Sequence, residues 1–141
     1  MNRYMNLIGK NAKKASLEKI NTKIKNKVLK RYASLLGKEK NSIIIENTKD
    51  IKFALKKGFK KNLIDRLTIN HKKLDDIKAS INKIIKLKDP VDNILEKWSR
   101  PNGLNIKRVS IPIGVIGIIY ESRPNVTSDV ASLCFKSGNA L

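Results

Sequence analysis

Apolar side chains in the first ninety residues recur at intervals of three and four, the spacing of helices with one buried face. From Leu17 the series runs through Ile20, Ile24, Val28, Tyr32 and Leu35 or Leu36, with Lys and Asn filling the positions between. Thr22 stands where an N-cap would divide a helix over about residues 3–19 from a second over about 23–36. Gly37 has the left-handed freedom to end that second helix. A third helix is predicted from about Glu39 to Lys57, with Ile43, Ile44, Asn47, Ile51, Ala54 and Leu55 on one stripe and Gly58 just past its end. Residues 62–67 read as a turn. A fourth helix opens near Asn70 and carries Leu74, Ile77, Ile81, Ile84, Ile85 and Leu87, until Asp89 and Pro90 stop it.

Beyond Pro90 the period shortens to that of strands. Residues 94–99 and 104–110 flank Pro101-Asn102-Gly103, and Asn-Gly between two β-prone runs is a hairpin signal. The run PIGVIGIIY follows, continuous and apolar, which predicts a strand buried on both faces as in a parallel sheet. Its glycines at 114 and 117 leave room for a neighbouring backbone or a ligand. ESRPN then reads as a loop, VTSDVASLCFKS as a helix starting near Val126, Gly138-Asn139 as its end and Ala140-Leu141 as the opening of another strand. The fold class is therefore α/β, with helices over 1–90, a hairpin over 91–111 and a first βα unit over 112–141. Because parallel strands need neighbours on both sides, the expectation is the N-terminal part of a longer domain, truncated within its sheet.

Composition changes this picture little. Hydrophobic residues make up 40% of the 141 positions, enough for a real core, and one cysteine, Cys134, excludes an internal disulfide. No apolar run is long enough for a membrane helix and the N-terminus has no secretory pattern, so a cytoplasmic protein with no membrane partner is expected. The charge is more pointed. With 31 Lys and Arg against 12 Asp and Glu, the formal charge is +19, the electrostatic footprint of a nucleic-acid binder. Yet +17 of it lies on residues 1–100, spread along predicted helices with few aromatic residues to stack on bases. A Lys-rich solvated surface with no nucleic-acid partner is the favoured reading, and a small basic nucleic-acid-binding protein is the alternative.

In an open α/β sheet, ligands bind outside the carboxyl ends of the strands, which singles out Tyr120 to Asn125. Glu121, Arg123 and Asn125 meet there, although the spacing GVIG is not a dinucleotide fingerprint. Each has a plainer role open to it: Asn125 as a cap of the following helix, Arg123 as an ion-pair partner of Glu121. Cys134 falls in the apolar stretch VASLCF, where a lone cysteine is a small hydrophobe rather than a nucleophile. His71 lies far from the loop on a Lys-rich helix and reads as solvated. No metal-ligand pattern is present.

The segment IKRVSIPIGVIGIIYESRPNVTSDVASLCFKSGNAL resembles the gamma-glutamyl phosphate reductases of the aldehyde dehydrogenase superfamily. DPVDNILEKWSRPNGL, ENTKDIKFALKKG and LIDRL extend the resemblance over the whole chain. It implies an aldehyde-dehydrogenase-like Rossmann domain and an oxidoreductase of proline biosynthesis, which reduces L-glutamyl 5-phosphate to L-glutamate 5-semialdehyde with NADPH and releases phosphate. A cysteine thiolate attacks the acyl carbon in such enzymes, and that cysteine lies in a downstream motif that this sequence lacks, so the 141 residues alone are expected to be inactive. By the same resemblance Asn125 supplies an oxyanion donor, and Ile119, Tyr120 and Glu121 form a wall of the NADP(H) cleft. Arg123 approaches the substrate phosphate or carboxylate, and the hairpin is an arm that joins subunits of a homo-oligomer.

Overall fold

A computed structural model describes residues 3–121 and 123–141. Among these described residues, six helices and one two-stranded ribbon follow in the order α1 (Arg3–Ala15), α2 (Thr22–Lys38), α3 (Lys40–Lys56), α4 (Lys61–Leu67), α5 (His71–Lys86), β1 (Ile94–Ser99), β2 (Asn105–Val109) and α6 (Pro124–Lys136). The core lies between α2 and α5. Leu29 and Ala33 of α2 meet Leu74, Ile77, Ile81 and Ile84 of α5, and Phe135 of α6 packs on the edge. Of the stripe expected for this helix, Leu74, Ile77, Ile81 and Ile84 are therefore buried, Ile85 is half-buried, and Leu87, just past the end of α5, is exposed.

On α2 the buried face differs from the expected one. Ile24 and Val28 are exposed, whereas Lys25, Leu29 and Ala33 face inward, a rotation of one residue. Lys25 is accommodated inside because its ammonium lies 3.0 Å from Asp89 Oδ2, and Tyr32 and Leu36 of the expected stripe still pack against the core. Asn21, not Thr22, caps the helix: its side chain accepts the Ile24 N–H at 3.0 Å. The Thr22 hydroxyl is occupied with the Asp89 carboxylate, 2.8 Å away. Nor does Gly37 end α2, since the helix runs on to Lys38 and passes into α3 through Glu39 alone. The first helix stops at Ala15, four residues short of the expectation.

Residues 61–67 form α4 rather than a turn. The link from α4 to α5 is held by Asn47, a buried residue in the apolar stripe of α3. Its amide donates to Leu67 O at 3.0 Å and its carbonyl accepts Ile69 N–H at 2.7 Å. Gly58, at φ +70, occupies the left-handed position expected after α3.

The hairpin forms where the Asn-Gly signal places it. Ile94 pairs with Val109, Trp98 with Ile106 and Ser99 with Asn105 in antiparallel register, with a bulge between Ile94 and Glu96, and Gly103 turns the chain at φ +83. Both of its faces carry exposed apolar residues, including Leu95, Trp98 and Leu104. The run at 112–120 departs most from expectation. It is not a buried strand: Ile113 and Ile119 are exposed, and only Val115 forms a bridge, parallel, with Ala140. A parallel strand is buried by strands on either side and helices on both faces, and among the described residues this segment has one bridge partner.

Candidate active-site loop

That single bridge sets the geometry of the loop. Ile116 N–H donates to Ala140 O and Ala140 N–H to Gly114 O, both at 2.9 Å, while Asn139 Oδ1 accepts the Gly114 N–H at 2.8 Å. Gly138 makes the return from α6 possible at φ +72, where a Cβ would stand 3.1 Å from Pro112 and 3.2 Å from Val91. The two segments run parallel with α6 as the crossover between them, so the end of the 112–120 run and the start of α6 lie at the same edge of the unit. In α/β architecture that edge is the ligand side.

Of the residues expected there, Ile119, Tyr120 and Glu121 are exposed, and the Tyr120 hydroxyl is hydrogen-bonded to that of Thr127, which ties the loop to the first turn of α6. Ser122, within the same loop, lies outside the described residues. Arg123 occupies the N-cap position without a side-chain cap, and Pro124 opens the helix, where its missing N–H costs nothing. Arg123 has no ion pair among the described residues, so pairing with Glu121 is not what holds it.

Asn125 is not a cap either. It sits inside the first turn, because α6 begins two residues earlier than expected, and its amide nitrogen lies 3.4 Å from Asp129 Oδ2. The other oxygen of Asp129 accepts the hydroxyl of Ser80 on α5 at 3.0 Å. Asn125, Asp129 and Ser80 line a cavity of about 330 Å³ together with Arg66, Lys73 and Asp76. Sequence reasoning missed Ser80 and Asp129. The four-residue spacing from Asn125 to Asp129 was there to be read, but Ser80 comes near only through the packing of α5 on α6.

The remaining candidates stand apart from the loop. Cys134 is buried on α6, and burial pushes its thiol above the ordinary range, the opposite of what a nucleophile needs. His71 is exposed at the start of α5. No group of three or more His, Cys, Asp or Glu that could hold a metal exists among the described residues. A larger cavity, about 710 Å³, opens between α1, α2 and α6, but its lining is mostly apolar and lacks the loop residues.

No family model matches the chain. It is 45% identical over 134 residues to the gamma-glutamyl phosphate reductase of Thermodesulfovibrio yellowstonii and 47% identical over 125 residues to that of Persephonella marina. These alignments take in 94% and 89% of the chain but 32% and 28% of the relatives. Its fold superposes on the crystal structure of the gamma-glutamyl phosphate reductase of Thermotoga maritima with a TM-score of 0.91 at 41% identity, over 96% of this chain. In sequence and in fold, the chain matches the gamma-glutamyl phosphate reductases. The Saccharomyces cerevisiae reductase agrees, with a TM-score of 0.91 at 30% identity. The chain spans about a third of the length of the reductases it matches: 33% of the Thermotoga maritima chain and 36% of the yeast one.

Proposed function

We propose that this chain supplies the substrate-facing loop of a reductase that converts L-glutamyl 5-phosphate to L-glutamate 5-semialdehyde and phosphate, the NADPH-dependent step of proline biosynthesis. The observation that carries the reading is the agreement with reductases over nearly the whole chain, in sequence and in fold. NADPH, when bound, supplies the hydride. The backbone of Ile119, Tyr120 and Glu121 lines one side of its cleft, and the surroundings suit such a guest. Ile119 is wholly exposed, and a Cβ placed on Gly114 or Gly117 would meet nothing within 4 Å.

Asn125 donates an amide N–H to the acyl oxygen as negative charge develops there, a stabilisation by a neutral group that neither gains nor loses a proton. The start of α6 adds a favourable field for the same charge through the dipole of the helix. Arg123, exposed and unpaired among the described residues, is open to the phosphate or carboxylate of the substrate. Cys134 takes no part, because a thiol kept protonated by burial does not attack. The hairpin is the arm by which copies of the protein associate. A two-stranded ribbon with apolar side chains exposed on both faces is marginally stable until something covers it. The protein acts in the cytoplasm on a small molecule, and no helix of the described residues is long and apolar enough to cross a membrane.

A proline-requiring bacterial strain without its own reductase tests this reading. Residues 1–141, joined to the remaining two thirds of the Thermotoga maritima reductase, are expected to restore growth without proline. A soluble, well-expressed fusion that leaves the strain dependent on proline would contradict it.

A further inference from the structure

An asparagine can act as an oxyanion donor only if its nitrogen end faces the oxygen. An exposed carboxamide is free to turn its carbonyl there instead, which would repel the developing charge. We propose that Asp129, anchored by Ser80, is a positioning residue that fixes the carboxamide of Asn125 with its nitrogen end toward the acyl oxygen. This deepens, and rests on, the reading of Asn125 given above.

Three observations support it. Asn125 and Asp129 are four residues apart on α6 and therefore share a face, with Asn125 Nδ2 at 3.4 Å from Asp129 Oδ2. An ionised carboxylate only accepts hydrogen bonds, so it selects the nitrogen end of the amide and leaves the second N–H of that nitrogen for another acceptor. Next, the carboxylate is itself oriented from a different element: the Ser80 hydroxyl on α5 donates to Oδ1 at 3.0 Å. The two oxygens thus have separate duties, one to the scaffold and one to Asn125. Finally, the charge of Asp129 is not spent elsewhere. The cavity holds two cationic side chains, Arg66 and Lys73; the Lys73 ammonium donates to Asp65 O at 2.8 Å and Thr68 O at 2.5 Å, and neither cation forms an ion pair with Asp129. If Asp129 merely stapled α6 to α5, contact with Ser80 alone would serve.

Two measurements test the proposal. In the 141-residue chain labelled with nitrogen-15, the side-chain amide resonances of Asn125 should move on Asp129→Asn and on Ser80→Ala. If they do not move, the positioning is overturned whatever the reaction. In the fused enzyme, Asn125→Ala should lower kcat by about 100-fold. Asp129→Asn should lower it on the order of tenfold with the KM for NADP unchanged, and Asp129→Glu should recover part of the loss. In the Asn125→Ala background, Asp129→Asn should do nothing more. A tenfold loss that persists there would show that Asp129 acts independently of Asn125 and would overturn the proposal. If Asn125→Ala itself left kcat unchanged, the donor reading would fail, while the resonance shifts would still report whether Asp129 orients the amide.

Discussion

The ammonium of Lys25 lies 3.0 Å from Asp89 Oδ2 and 3.1 Å from Oδ1, across 64 residues of sequence. The lysine is 2% exposed. Its partner also accepts the Thr22 hydroxyl and the Val91 N–H, so one carboxylate joins the start of α2 to the chain leaving α5. Removing Asp89 strands the buried ammonium of Lys25, and removing Lys25 leaves a half-buried carboxylate without its cation. Asp89→Ala and Lys25→Met are each expected to cost about 3–5 kcal/mol, measured by urea unfolding, whereas replacing both should cost less than the sum.

The same carboxylate gives the fold an acid sensitivity. Burial pushes the Asp89 carboxyl up, but the hydrogen bonds from Val91, Lys25 and Thr22 outweigh that, and the group titrates below its ordinary value. A lowered folded value means the stabilisation is complete above the unfolded value of about 3.9 and is lost as pH falls through the folded one. The urea midpoint should therefore start to drop as pH falls below about 5 and keep dropping through the lowered folded value. The drop should be visibly smaller in Asp89→Asn.

Asn47 is the second internal tie. Asn47→Ala leaves Leu67 O and Ile69 N–H without their partner, and a loss of about 2–3 kcal/mol is expected with the denaturant slope unchanged. Asn47→Asp keeps the acceptor for Ile69 but removes the donor to Leu67, and should be no better.

Such ties explain which parts of the fold were legible in the sequence. The α5 stripe, the Asn-Gly hairpin and the left-handed Gly58 obey local rules, and each stands where those rules put it. The buried face of α2 does not. Lysine reads as solvent-facing, so Lys25 and Lys136, both buried, pass unnoticed in a chain of +19. Lys136 is held by Asn26 Oδ1 at 2.8 Å and Ile85 O at 3.1 Å, partners that only tertiary packing brings near. The run at 112–120 failed in the other direction. Its composition suits a central strand, but burial of a strand depends on neighbours that the strand does not encode. In the loop, the residue types and their positions were readable, whereas the link from Asn125 through Asp129 to Ser80 needed the packing of α5 on α6.

Cys134 should behave as a packing residue. Because burial holds its thiol above the ordinary range, a thiol-specific reagent at pH 7.5 is expected to label it roughly a hundredfold more slowly in the native chain than in urea. Rapid native labelling would show a reactive thiol.

The proposed function turns on the loop at residues 119–125 working as a reductase loop. Steady-state turnover tests this most directly, with residues 1–141 joined to the rest of the Thermotoga maritima reductase and assayed with glutamate 5-semialdehyde, phosphate and NADP. The expected result is phosphate-dependent NADPH formation that falls about 100-fold with Asn125→Ala. A folded fusion that forms no NADPH, or one whose rate is unmoved by Asn125→Ala, would contradict it.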